Sequence, residues 1–324
     1  MQVVPPPMTF VSFLTSWVLD PLGVGLAVAL AGTYVVLVRR VRRGGVRWSR
    51  WRGAAFLGLG VGSLVLATCG GFAVYRSTLF SVGAAQAALL SAVTPVGIAL
   101  GDPVGLAERA IGPAAATRLN RALRGPLARV LMFPLVSSVL AVGSLVAVFY
   151  STLFTASMSS TLARDGVYAL LLVTGVLVVL PLLGEELLPR WCTPPVRALF
   201  AFADGLLDAI PGILVMTASA PLAAGVLGYA SRTWGATPAW DQKIGGGTML
   251  AIAEVVGLPV LGAIIADWVR ADEAEARAVD AVLDAQSATW AADAGASGAT
   301  GASGESGRMP PWWETDPRYV DRER

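Results

Sequence analysis

Seven stretches of this chain, residues 21–38, 53–75, 79–100, 130–150, 166–183, 198–218 and 244–268, are apolar over about the 20 residues a helix needs to cross a bilayer. Hydrocarbon offers no water to satisfy backbone N–H and C=O groups, so only helices or a closed barrel can span it. The runs are rich in Leu, Val, Ala and Gly and show no period-two alternation, which selects helices over a barrel. A mean hydropathy of +0.65 with only 14% charged residues does not suit a soluble domain. The expected fold is all-α: a polytopic membrane bundle of about seven transmembrane helices in contact with lipid. Residues 10–20 are apolar but too short to span, and are expected at the interface or as an extension of the first helix. MQVVPPPMTF carries no positive charge, so a cleaved signal peptide is not expected.

Arginine placement gives an orientation. Loop 39–52 (RRVRRGGVRWSRWR) carries seven arginines, loop 101–129 five and loop 184–197 two, and Arg270 and Arg277 follow the last run. The alternate connections hold Arg76, Arg164, Arg232 and Lys243. A positive-inside bias of this size predicts an outside N-terminus and a cytoplasmic C-terminus, which an odd number of spans requires. Juxtamembrane arginines of this kind are a topology signal, so no nucleic-acid partner is expected.

The organisation reads as a bundle over 1–284, closed by a short cytoplasmic helix near VRADEAEARAVDAVLD. In that helix Glu273 and Arg277 are i, i+4 partners. From 285 to 324 the composition turns to Ala, Gly, Ser and Thr, the signature of a disordered cytoplasmic tail. Within it, Trp312 and Trp313 are a possible docking element.

The chain has no histidine, which removes the commonest metal ligand and the usual proton carrier near neutral pH. No nucleophile elbow, Walker loop or zinc-protease motif is present, so an enzyme is not expected. Cys69 and Cys192 fall on opposite sides of the expected topology and cannot pair within the chain. Three intramembrane acids stand out, because ionisable groups in hydrocarbon mark function by default. Asp204 and Asp208 are four apart and share a helix face, beside the Leu207 carbonyl that Pro211 leaves free. Glu254, mid-span, reads as a third buried acid. Such a group suits a shared proton or a cation, and equally a set of neutral acids bonded to neighbouring helices. The sulfurs of Cys69, Met216 and Met249 would favour Cu(I) if they met, with Asp208 as a further ligand. Scattered sulfur in a core is more often filler.

The glycines of DQKIGGG (241–247) open the last span; close helix packing explains them better than an anion cradle, since no strand precedes them. That stretch, WRGAAFLGLGVGSLVLATCGGFAVYRSTLFSV (51–82), QAALLSAVTPVGIALGDPVGL (86–106) and LPLLGEELLPR (180–190) together resemble the CtaG family of bacterial cytochrome c oxidase assembly factors. The resemblance covers most of 30–284. Asp241, Gln242, Gly245, Gly246, Gly247 and Glu254 match the family motif Asp-Gln-x-x-Gly-Gly-Gly-x-x-Trp-x-x-Gly-Glu; Leu250 and Ala253 replace its tryptophan and last glycine. The resemblance implies a multi-pass protein of the bacterial plasma membrane, oxidase subunits as partners, and copper delivery. Where the family reads His-Met-x-Gln-His-Met, this chain has Gly83, Ala84, Ala85, Gln86, Ala87 and Ala88. Further family histidines fall near Tyr168 and Leu170 and at Asp208. The frame is kept and its imidazoles are not, which leaves copper as a cofactor without its expected ligands. The alternatives are a proton- or cation-linked transporter using the intramembrane acids, or a structural scaffold paralogue.

Overall fold

The computed structural model describes residues 5–184 and 192–297, and no strand occurs among them. After a short exposed helix, α1 (Phe10–Thr15), the chain forms α2 (Pro21–Arg43), α3 (Arg50–Tyr75) and α4 (Phe80–Ala110). Two short amphipathic helices, α5 (Pro113–Leu123) and α6 (Pro126–Leu131), lead to α7 (Pro134–Tyr150) and α8 (Leu153–Ser159). Then follow α9 (Thr161–Leu183), α10 (Pro194–Thr217), the single turn and a half of α11 (Leu227–Ser231), and α12 (Pro238–Ser297).

Among the described residues six helices are long and apolar enough to cross a membrane: α2, α3, α4, α9, α10 and α12. The seventh expected span, 130–150, is more complicated. Pro134 opens α7 instead of interrupting it, because a first-turn residue has no intrahelical use for its N–H. The resulting helix is 17 residues long and is followed by α8 after a 65° bend, the geometry of either one broken span or a re-entrant loop.

Helix starts follow from capping chemistry. The Asp20 carboxylate accepts from the Gly23 N–H at 3.2 Å to open α2, and Ser160 accepts from Ala163 at 3.3 Å to open α9. Inside α4, Asp102 takes a left-handed φ of 48°, which Asp tolerates better than most residues. There it caps Gly105 at 3.0 Å and pairs with Arg52 at 2.7 Å.

The most enclosed helix is α4, and it packs against α3. Both carry a π-helical stretch, Ala55–Val61 in α3 and Leu89–Val93 in α4. In α4 the cause is Pro95, which has no N–H to return to the Ser91 carbonyl. The helices cross where Gly97 meets the backbone of Leu59 and Gly60, with no room for a Cβ.

The chain divides into two compact units, Met1–Ile265 and Ala266–Arg324. The first is the bundle. In the second, α12 continues as an exposed helix in which Arg277 reaches Glu273 at 3.6 Å, the spacing expected from sequence. Helix persists to Ser297, past residue 284 where the sequence pattern ends it. The rest of the expected tail, with Trp312 and Trp313, lies outside the described residues.

Candidate functional site

The Asp-Gln-x-x-Gly-Gly-Gly motif occupies the first turns of α12, and each member but one has a visible packing task. Asp241 is 2% exposed. Its Oδ2 accepts from the Phe80 N–H at 2.7 Å; its Oδ1 accepts from the Ser81 hydroxyl at 2.5 Å and the Ser81 N–H at 3.4 Å. It therefore caps the start of α4 from another helix, where Leu79 has no side chain able to do so. Arg232 faces it at 3.4 Å, both side chains nearly sealed from solvent. Gln242 accepts from the Leu222 N–H at 2.8 Å and donates toward the carbonyls of Val215, Ala218 and Ala220, which ties down the chain leaving α10.

A Cβ on Gly245 would lie 2.8 Å from the Phe80 ring, and one on Gly246 2.5 Å from the Gly212 carbonyl oxygen. Gly247 has nothing within 4 Å. Gly245 lets α12 lie against the Phe80 ring of α4, and Gly246 lets it touch α10 backbone to backbone.

The expected acidic group divides. Asp204 accepts from the Ser138 hydroxyl on α7, and both Asp204 and Asp208 line a cavity of about 50 Å³ that also includes Ser91. Asp208 also borders a second cavity of about 30 Å³ beside Met249 and Ser91. Each is roomy enough for water. Glu254 does not join them and is not buried: it points outward from α12. The reason is helical phase. Ala253, Val256, Gly257 and Val260 carry the face of α12 that lines the acid cavity, and Glu254 stands about 100° from Ala253.

The expected sulfur ligands lie on three helices, Cys69 on α3, Met216 on α10 and Met249 on α12. Met216 and Met249 both belong to the α10–α12 region: the Met216 backbone packs on Gly246, and Met249 is in the core. Cys69 ends the long part of α3, its sulfur 3.6 Å from the Thr68 hydroxyl. Among the described residues no three His, Cys, Asp or Glu side chains come together as a metal site. The residues present do not fit a copper centre. Both cysteines are free thiols. Cys192, outside the spans, has its thiol pushed up by burial against the pull of Arg197.

A second polar cluster was not singled out by sequence reasoning. Arg76 is 6% exposed and sends N–H groups to the Tyr168 hydroxyl and to the Ser157 hydroxyl, the latter at 2.5 Å. Gln86 donates to the Ala67 carbonyl at 2.6 Å and to the Tyr168 hydroxyl at 2.7 Å. Tyr229 donates to the Arg76 carbonyl at 2.7 Å, and burial pushes its phenol upward so that it remains a donor. Two signals lay in the sequence: Gln86 is the one polar survivor of the family's His-rich stretch, and Tyr168 stands where a histidine is expected. Arg76 was read as a loop charge.

A family model described as cytochrome c oxidase caa3 assembly factor matches residues 32–271. The chain belongs to this family. Among curated proteins, an uncharacterised protein of Mycobacterium leprae is 30% identical over 83% of this chain and 42% of its own length. Uncharacterised proteins of Mycobacterium bovis and Mycobacterium tuberculosis are each 30% identical over 88% of this chain and 44% of their own length. The chain thus spans less than half the length of the curated relatives it matches. No solved structure matches it.

Proposed function

We propose that this protein is a non-catalytic membrane factor in haem-copper oxidase assembly, acting through a rigid bundle and not through copper held by its own ligands. Its setting on this reading is the bacterial plasma membrane, N-terminus outside and C-terminus cytoplasmic, with oxidase subunits as partners. The observation that carries the reading is the use made of the family motif. Asp241, Gln242, Gly245 and Gly246 are engaged in helix packing, so the frame persists as architecture while the metal donors do not. Deleting the gene should lower assembled, spectroscopically detectable oxidase; normal oxidase content in the deletion strain sinks the proposal. Purified protein should hold copper far below one ion per chain, in the wild type and in Cys69→Ser alike. Stoichiometric copper that disappears in Cys69→Ser would restore direct metal delivery.

A second reading rests on the cavities beside Asp204 and Asp208, which join two acids and the Ser91 hydroxyl in the bundle interior. Under it the protein moves a proton or cation. Asp208→Asn then abolishes ion-dependent flux in liposomes, and an unaltered flux rejects it. For a pure scaffold paralogue, Asp208→Ala changes stability alone.

A further inference from the structure

The Arg76 cluster opens onto a polar cavity of about 230 Å³ between the start of α2, the end of α3, and the junction of α8 with α9. Asp20, Arg76, Ser157, Thr161, Arg164 and Tyr168 are among its walls. The two arginines in it differ in their partners. Arg164 is neutralised by Asp20 at 2.7 Å and Asp165 at 3.1 Å, and the other Asp20 oxygen is occupied by the Gly23 N–H. Arg76 meets no carboxylate among the described residues. Its Nε is buried with no acceptor, and its neighbours are hydroxyls, a carbonyl and the Tyr168 ring, whose centroid lies 5.3 Å from the guanidinium carbon. A buried guanidinium without a counter-charge is strongly disfavoured, and ordinarily such a charge is paired.

Apart from the Asp20 carboxylate, whose two oxygens are taken by Arg164 and the Gly23 N–H, the cavity offers further donors. The Ala67 carbonyl can only accept, so the end of Gln86 that reaches it is the NH₂. Tyr168 therefore accepts from both Gln86 and Arg76, and its own O–H proton is left to point elsewhere. Ser159, Ser160 and Thr161, at the N-terminus of the 23-residue helix α9, complete the wall; the Ser160 hydroxyl caps the Ala163 N–H, and the helix dipole there favours negative charge.

We propose that this cavity binds an oxyanion, a phosphate or carboxylate group, with Arg76 as its counter-ion and Tyr168 and the α9 N-terminus as further donors. The source of the group is either a free anion or the headgroup of an anionic lipid, since the cavity lies at the span ends remote from the 39–52 loop. The site is separate from the motif on α12 and does not depend on the assembly reading.

The test is the unfolding temperature of the full chain in neutral detergent, titrated with inorganic phosphate against chloride at fixed ionic strength. The same measurement is made in nanodiscs of pure phosphatidylcholine and with added phosphatidylglycerol. A saturable rise with phosphate identifies a free anion; a rise with phosphatidylglycerol alone identifies a headgroup. In either case Arg76→Gln should weaken the response at least about tenfold, the value of one charge-assisted hydrogen bond. If Arg76→Gln does not fold, Arg76→Lys serves instead. It keeps the charge and loses the planar fork, and should weaken the response several-fold. No response to either probe, or a response that the folded Arg76 variant leaves unchanged, overturns the proposal.

Discussion

Arg76 and Arg232 are both buried arginines near the same end of the bundle, and their surroundings are opposites. Arg232 faces Asp241, which at the same time caps α4, so one carboxylate supplies counter-charge, cap and helix packing even though Arg232 Nε and Nη2 make no hydrogen bond. Arg76 faces hydroxyls, and beside it the helices stand apart around a cavity. A charge that finds its partner inside the protein draws elements together. A charge left without one keeps space open for something from outside.

The largest expected effect breaks the closed side of this contrast. Asp241→Ala strands Arg232 and uncaps α4, and should destabilise the protein by about 3–5 kcal/mol, read by denaturation in detergent. Loss of less than about 1 kcal/mol would show the pair to be incidental. Next comes Gly246→Val, which pushes a side chain into the Gly212 carbonyl and should cost about 1–3 kcal/mol on the same measurement. Arg76→Met, made without any added anion, should fall below both and leave stability within about 1 kcal/mol, because losing its hydrogen bonds is offset by removing an unpaired charge. The smallest effect belongs to Gly247→Ala, where open space lets the methyl in. The helix gains up to about 1 kcal/mol from reduced backbone freedom. Equal effects at Gly246 and Gly247 would undo the account of the motif as a packing seam.

Much of the bundle was legible because hydrocarbon imposes a length on every crossing element. The runs at 21–38, 53–75, 79–100, 166–183, 198–218 and 244–268 each fall, to within a residue, inside a long helix, and 130–150 takes in the end of α6 and all of α7. Helix ends, by contrast, answer to caps. Asp20 and Ser160 start helices at residues that hydropathy alone does not mark, and the bend after Tyr150 has no signal in a hydropathy average. The glycines of 245–246 were legible as packing. What Asp241 does was not, since its partner Phe80 is 161 residues away along the chain. Glu254 was misread for a related reason: mid-span position fixes depth in the bilayer but not which way a side chain faces. Arg76 shows the converse error, a charge counted as a loop signal that turns inward to meet Tyr168 across 92 residues of sequence.

The crossing of α3 and α4 at Gly60 and Gly97 has a consequence for how the molecule can move. Backbone lies against backbone there, and no side chain stands between the two helices to yield. Sliding one past the other would drive a neighbouring residue, Leu59 or Ile98, into the space the glycines keep free. The crossing therefore fixes the register of α3 against α4, a register that the Arg52–Asp102 ion pair also holds.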